Sequence, residues 1–153
     1  TGTLFGADSA RLGELDLTTG AFTEIGRFGS GYGAAGNLFF GDVDGLALDP
    51  FSGKLYASVR RPGNPDLLIL VDPDTGKAVA DAFGAGVDYV LVETITVDGV
   101  ELNDIDDIAI DTYDGQLYAI MNYDGMKSRL VLLDKPDGSA TDITDLAIAN
   151  VQG

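Results

Sequence analysis

An eighteen-residue phrase that occurs twice constrains the fold of this chain more than any other feature. Residues 42–59 read DVDGLALDPFSGKLYASV and residues 104–121 read DIDDIAIDTYDGQLYAIM, so the two copies align without a gap. Each passes from an acidic and apolar run through a glycine-containing turn to a second apolar run. A repeat spaced by a few tens of residues is typical of stacked or ringed supersecondary units. The chain is therefore predicted to consist of similar units placed side by side.

Each copy is followed by an apolar run that ends in aspartate, by a turn with glycine, and by a further strand candidate. The apolar runs are 67–72 and 129–134, and the segments after the turns are 77–83 and 139–146. A shorter copy at the start lacks the first part of the phrase; its segments are 3–7, 12–17 and 21–28. Glycine readily adopts the positive φ that a tight hairpin turn requires. These segments are therefore predicted to pair as antiparallel hairpins.

A complete unit contains four short strands, and four antiparallel strands in sequence, repeated, predict the blade of a β-propeller. We predict an all-β chain with little helix, because no segment has a convincing 3.6-residue period of apolar residues. Strict alternation would place Val43, Gly45 and Ala47 on one face of the first strand and Asp44 and Leu46 on the other. The predicted domain is 1–153, with blade units 3–28, 42–83 and 104–146, insertions 29–41 and 84–103, and the start of a further strand at 150–153.

The second insertion carries the signal of an extra hairpin. Residues 89–97 are rich in strand-forming residues, Asp98 and Gly99 form a two-residue turn, and residues 100–102 return. Such a turn between apolar runs is a strong hairpin signal. We expect this hairpin to project from a blade edge, where rigid scaffolds usually carry their binding loops.

Three units are too few to close a ring, because propellers typically have about four to eight blades. The outer faces of the end units would then expose apolar residues and unpaired strand edges unless something covers them. Self-association as three plus three blades, flanking blades of a longer polypeptide, or the next copy along a filament could each provide the cover. Residues 150–153 align with the start of the repeated phrase and are predicted to begin a further strand. In an alternative alignment, residues 142–148 match the start of the phrase and supply the missing first strand of the first unit.

The charge is strongly negative, with 25 acidic and 9 basic residues and a net charge of −16. This excess repels phosphate backbones and argues against a nucleic-acid partner. It suits an extracellular setting, a high-salt environment or divalent-cation binding, while plain solubility is the alternative explanation. Histidine and cysteine are both absent, which excludes Ser-His-Asp chemistry, thiolate metal sites and disulfides within this sequence. No apolar run is long enough to predict a membrane span.

The phrases LFGAD, DVDGLALDPFSGKLYAS and LLILVDPDTG resemble bacterial β-propeller repeats of the broad group that includes NHL and quinoprotein-like propellers. The resemblance covers nearly the whole chain except the two insertions, and it implies blades of exported or cell-surface proteins. Some members of that group hold calcium on the ring axis, although Asn150 and Gln152 stand here where the other copies have aspartate. The scaffold carries binding, adhesion and several hydrolytic chemistries, so the resemblance implies a fold more than a function.

Acidic residues at the start of the repeated phrase are candidate calcium ligands, because equivalent positions of propeller blades converge at the axis. Calcium takes six to eight oxygen ligands, and clustered carboxylates without a cation repel one another. The alternative is that these side chains accept hydrogen bonds from backbone N–H groups at strand corners. The candidates are Asp42, Asp44, Asp104, Asp106 and Asp107.

Two loops at matching positions of the second and third units hold several of the few cations, together with amide and aromatic side chains. They could bind an anionic, glycan or protein ligand, or they could be variable loops with compensating charge. The candidate residues are Arg60, Arg61, Asn64, Tyr123 and Lys127.

The sequence therefore favours a non-catalytic binding or assembly module of an exported or surface-displayed protein, stabilised by calcium. One alternative is a propeller hydrolase of the lactonase, esterase or phytase kind that uses calcium and carboxylates instead of histidine. Another is a structural subunit of an extracellular fibre.

Overall fold

The computed structural model describes residues 2–123 and 127–146, which form strands and turns and contain no helix. The all-β class predicted from the sequence is therefore confirmed. No helix in the described ranges is long and apolar enough to cross a membrane. The strands are β1 Leu4–Asp8, β2 Arg11–Leu15, β3 Phe22–Arg27, β4 Ser30–Gly33, β5 Gly36–Phe39, β6 Val43–Leu48, β7 Leu55–Val59, β8 Leu67–Val71, β9 Tyr89–Leu91, β10 Ile95–Val97, β11 Val100–Leu102, β12 Asp104–Ile110, β13 Leu117–Tyr123, β14 Lys127–Leu133 and β15 Ala140–Asp145.

These strands form three antiparallel sheets whose spatial order follows the chain. The first sheet is β1-β2-β3, the second is β6-β7-β8-β9 and the third is β12-β13-β14-β15, while β4-β5 and β10-β11 are separate hairpins. Hydrogen bonds close the turns between the strands, as the sequence predicts. In the turn after β6, for example, Asp49 Oδ1 accepts a hydrogen bond from Phe51 N–H (2.9 Å). No sheet closes on itself within the described residues.

The fourth strand of the second sheet differs from the prediction. Residues 77–83 contribute only an isolated bridge between Ala78 and Val71, and the strand that completes the sheet is β9. The segment AVADAF has few β-branched residues, whereas β9 belongs to the strand-rich run that the sequence assigned to a hairpin. The chain therefore turns away after Ala78 and returns to the same edge of the sheet with Tyr89.

A β-bulge at the same place in both inner strands breaks the predicted alternation. Asp44 lies between the paired residues Val43 and Gly45, and Asp106 occupies the equivalent position in the third sheet. A bulge inserts one extra residue and turns the following side chains to the other face. Val43 therefore packs between the first and second sheets, whereas Ala47 packs between the second and third, so the prediction that they share a face is wrong.

Two hydrophobic clusters hold the sheets together, one on each face of the second sheet. Every residue of β7 and β8 is buried as a result. The inner strands β6 and β12 lie next to each other, and they approach closely at Gly45. A Cβ atom on Gly45 would lie 2.8 Å from Ile108 N, so only glycine fits there without a shift.

The predicted hairpin of the second insertion exists, with Asp98 and Gly99 at φ 53° and 81°. Its first strand is only Ile95–Val97, and it does not project: Ile95 and Val97 pack against the cluster between the second and third sheets. The hairpin β4-β5 was not predicted, because the glycine-rich first insertion carries little strand signal.

Candidate functional site

The bulged aspartates Asp44 and Asp106 lie near each other at one end of the inner strands, together with Asp104. Burial raises the pKa of Asp106 to about 6, and the negative charges of Asp104 and Asp44 add to the rise. Burial also raises the pKa of Asp44, with further contributions from Asp42 and Asp104 that the positive charge of Arg60 opposes. The carboxylates of Asp44, Asp104 and Asp106 are therefore close enough for their charges to affect the pKa values of Asp44 and Asp106.

One oxygen of this cluster has no partner. Asp106 Oδ2 is buried and accepts no hydrogen bond from the residues that the structure describes. A buried carboxylate oxygen without a donor costs free energy that a hydrogen bond or a cation would recover. This atom is the clearest sign that the acidic cluster is incompletely satisfied.

Asp107, by contrast, follows the structural alternative. Its Oδ1 accepts a hydrogen bond from the N–H of Ile108 at 2.8 Å. The carboxylate therefore satisfies a backbone donor beside the bulge, which is the role expected of aspartate at a strand corner.

Asp66 joins the second sheet to the third, and the sequence analysis did not single it out. Its side chain is buried, Oδ1 accepts from Arg61 N–H (2.7 Å) and Oδ2 accepts from Ile105 N–H (2.7 Å). Burial raises the pKa of Asp66 to about 7, although the two N–H donors oppose this, and the charges of Asp104 and Asp44 add to it. The carboxylate therefore fixes the loop after β7 against the start of β12.

The repeat could have identified Asp66 as a buried hydrogen-bonding residue. Asp66 directly precedes the apolar run of the second unit, and Ser128 holds the equivalent position in the third. Both residues are buried, and Ser128 Oγ donates to Asn122 Oδ1. A polar residue in the same column of two apolar strands marks a position where the fold uses a buried hydrogen bond.

A cleft of about 480 Å³ opens beside the acidic cluster. Its lining combines the predicted loop residues Arg60, Arg61 and Asn64 with residues of β11, β12 and β13. Arg60 Nε lies 3.5 Å from Asp104 Oδ1, so the cleft and the cluster share a charge pair. The other lining residues are Pro62, Gly63, Val100, Glu101, Asn103 and Asn122.

Two other predicted side chains of this loop, Arg61 and Asn64, hydrogen-bond to carbonyl oxygens of the loop itself. Arg61 Nη1 donates to the carbonyl oxygen of Pro65 (3.2 Å), and Asn64 Nδ2 donates to that of Pro62 (3.3 Å). Tyr123 ends β13 and pairs with Lys127 at the start of β14. The side chains of Tyr123 and Lys127, and the tail at 150–153, lie outside the part of the chain that the structure describes.

Among residues 2–123 and 127–146, no three acidic side chains approach closely enough to form a metal-binding group. The negative charges of Asp104 and Asp44 raise the pKa of Asp106. The negative charge of Asp42 raises the pKa of Asp44. A cation held here would need further oxygen ligands from main-chain carbonyls or water.

No family model matches the chain, and no curated protein matches it either.

Proposed function

We propose that the chain is a non-catalytic binding or assembly module of an exported or cell-surface protein, built from β-propeller-type blades. The observation that carries the proposal is that the second sheet is covered on both faces by neighbouring sheets. The second and third sheets also share strand order, register and the position of the inner bulge. Propellers repeat four-stranded antiparallel sheets around an axis, which leaves only short, protected edges.

The cleft beside Arg60 and Arg61 is the binding site that we propose for an anionic or glycan ligand. Arginine suits planar anions because its guanidinium offers several donors in a fixed geometry. Titration with a sulfated oligosaccharide, followed by NMR, should shift the amide signals of the 60–64 loop first. Arg61→Ala should weaken this binding at least about tenfold, whereas Arg27→Ala, which removes an exposed arginine elsewhere, should not. Equal binding of the oligosaccharide by both variants would contradict this location of the binding site.

We also propose calcium as a stabilising ion of the acidic cluster, because Asp106 Oδ2 has no partner in the described part of the chain and the neighbouring carboxylates repel one another. An ion that binds only the folded chain raises stability by about 2.7 kcal/mol at a concentration about a hundredfold above its Kd. The melting temperature should therefore be higher in calcium than in EDTA, and Asp106→Asn should reduce this difference. Identical melting curves in both buffers would exclude calcium.

The rival function is a hydrolase, which the raised pKa values of Asp66 and Asp106 beside a cleft favour. Carboxylates with such pKa values are typical of acid–base catalysts. The hydrogen bonds from Arg61 and Ile105 to Asp66 support a structural role instead. Turnover of any chromogenic ester or phosphate, lost in Asp106→Asn, would favour the hydrolase over the binding module.

A further inference from the structure

We propose that one face of the β4-β5 hairpin binds a neutral oligosaccharide. We define this hairpin face as the side chains of Ser30, Tyr32, Asn37 and Phe39. The site goes beyond the proposed function, because none of these residues lines the cleft beside Arg60. It also calls for an uncharged ligand, whereas the arginines of that cleft suit an anion.

The four side chains lie on the same side of the hairpin. Ser30 pairs with Phe39, Tyr32 pairs with Asn37, and residues two apart in a strand point to the same side. All four are exposed, and the exposed fractions of Tyr32 and Phe39 are 60% and 62%. Each aromatic ring therefore stands opposite a polar side chain. The two aromatic residues are diagonal neighbours, with backbones about 7–8 Å apart.

Glycines on the opposite side let the hairpin lie close against the start of β9. A Cβ atom on Gly31 would lie 2.7 Å from Asp88 Cβ, and a Cβ atom on Gly33 would lie 2.7 Å from the Tyr89 ring. No side chain fits beneath the hairpin at these two positions unless its neighbours shift. The larger side chains of the hairpin therefore have room on the outer side, where they form the hairpin face.

Hydrogen bonds fix the hairpin in this position. The hydroxyl of the buried Tyr89 accepts from Ala35 N–H (3.0 Å) and donates to the carbonyl oxygen of Gly36 (2.9 Å). Asp88 Oδ2 accepts from Tyr32 N–H (2.8 Å), and Asp88 N–H donates to the carbonyl oxygen of Tyr32 (2.8 Å). The turn and the first strand are thus held before any ligand binds, so less conformational entropy is lost on binding.

The hairpin is uncharged in a chain whose net charge is −16. Residues 29–41, which contain both of its strands, include no acidic or basic side chain. An anion would meet the overall negative charge without a guanidinium or ammonium group on this face to bind it. A cation would find no carboxylate on this face, because Asp88 lies beneath the hairpin and accepts hydrogen bonds from backbone N–H groups. The matching ligand is therefore neutral.

The size of the hairpin face suits a short sugar chain and not a protein. Its two strands have four residues each, so the face covers roughly 140 Å². A stable protein interface buries about 800 Å² on each partner. One or two sugar rings, by contrast, can rest on two aromatic side chains.

Pyranose rings are amphipathic in the same way as this face. The C–H groups of a sugar ring carry a partial positive charge and can stack on the negative face of an aromatic ring. Sugar hydroxyls need donors and acceptors, which the Asn37 amide and the Ser30 hydroxyl supply. The diagonal spacing allows adjacent units of one sugar chain to contact Tyr32 and Phe39 together. Ligand sites commonly combine aromatic contacts with a few polar groups in this way.

The test is an NMR titration of the chain with three neutral β-1,4-linked oligosaccharides, namely cellohexaose, xylohexaose and chitohexaose. At least one of them should shift the amide signals of residues 30–39 first. Tyr32→Ala and Phe39→Ala should each weaken that binding at least about tenfold. Tyr32→Phe, which keeps the ring, should bind within about threefold of the wild type.

The matched control is Tyr113→Ala, which removes a ring that is 92% exposed in the turn between β12 and β13. It should bind the sugar as the wild type does. Circular dichroism and melting of each variant establish that it is folded. Arg61→Ala should bind the neutral sugar normally, and Tyr32→Ala should still bind the sulfated oligosaccharide, so this inference and the proposed cleft fail separately.

Three results would overturn the inference. The first is the absence of shifts with all three sugars at millimolar concentration, and the second is equal binding by the wild type and Tyr32→Ala. The third is self-association of the wild-type chain in sedimentation velocity that Phe39→Ala abolishes, because the hairpin face would then be a protein interface.

Discussion

Asp66 and Asp106 make folding depend on pH, because both carboxylates have raised pKa values in the folded chain. Between the ordinary pKa near 4 and the folded values of about 7 and 6, the folded chain binds more protons than the unfolded chain. Stability then falls as the pH rises through this window. In EDTA, the free energy of unfolding from urea titration should be lower at pH 8 than at pH 5.

Asp106→Asn tests the origin of this slope. The amide carries no charge, so it removes the repulsion from Asp44 and Asp104. It should stabilise the chain at pH 8 in EDTA by about 1 kcal/mol, after allowance for solvent screening, and flatten the pH dependence. Stability that increases from pH 5 to pH 8 in the wild type would contradict the assignment.

Lys135 forms an ion pair with Asp49 that links the second and third sheets. Its contribution to stability has the opposite pH dependence to that of Asp66 and Asp106. Its Nζ lies 2.8 Å from Asp49 Oδ2 and 5.7 Å from the centre of the Tyr56 ring. The ammonium group, with help from backbone donors, lowers the pKa of Asp49, so this contribution is present at neutral pH and is lost in acid.

Lys135→Ala should reduce the free energy of unfolding at pH 7 by about 2 kcal/mol, because it leaves the buried Asp49 carboxylate without its cation. The matched control is Lys54→Ala, an exposed lysine, with an expected change of less than about 0.5 kcal/mol. Urea denaturation of the two variants measures the difference. Equal effects would show that the contact contributes nothing.

The sequence identified acidic residues at the start of the repeated phrase as candidates, but it could not show how they differ. Asp44, Asp106 and Asp107 were all candidate calcium ligands, yet Asp107 accepts a hydrogen bond from a backbone N–H, whereas Asp106 Oδ2 has no partner among the described residues. The burial of Asp66 depends on how the third sheet packs against the second. Such differences arise from tertiary contacts that a single strand pattern does not contain.

At the scale of elements, the contact between β6 and β12 depends on Gly45. Gly45→Ala places a Cβ within 3 Å of both Ile108 N and Ser58 Oγ. We expect a loss of about 2 kcal/mol, which is typical of overpacking at a closely packed site. Asp107→Ala is the control at the aligned position, where no sheet of the described residues covers the strand, and it should cost less than about 1 kcal/mol. A Gly45→Ala variant that is as stable as the wild type would contradict the close approach of the two inner strands.

The strand pattern predicted most of these elements because each hairpin carries its own turn signal. It failed where pairing depends on distant partners. The segment 77–83 follows the same kind of turn as β3 and β15, but β9 takes its place beside β8. A bulge such as that at Asp44 adds one residue without altering the hydrophobic count, so alternation alone could not show it.

At the scale of the whole molecule, stability comes from sheets that cover one another. The second sheet contributes to both hydrophobic clusters, whereas the first and third sheets each bury one face. The repeat in the sequence predicted similar neighbouring units. It could not predict which residues form the contacts between units. The bulge in each inner strand decides which side chains face each neighbouring sheet, and the repeat does not show the bulge.

Hydrogen exchange of the dilute chain at low salt tests this arrangement most directly. Amides exchange slowly where the surrounding structure must open cooperatively, and β7 and β8 are the strands enclosed on both sides. We predict that β7 and β8 exchange most slowly, followed by β13 and β14, with β3 and β15 fastest among the sheet strands. Protection of β13 and β14 that equals or exceeds that of β7 and β8 would contradict the account that the second sheet lies between the other two.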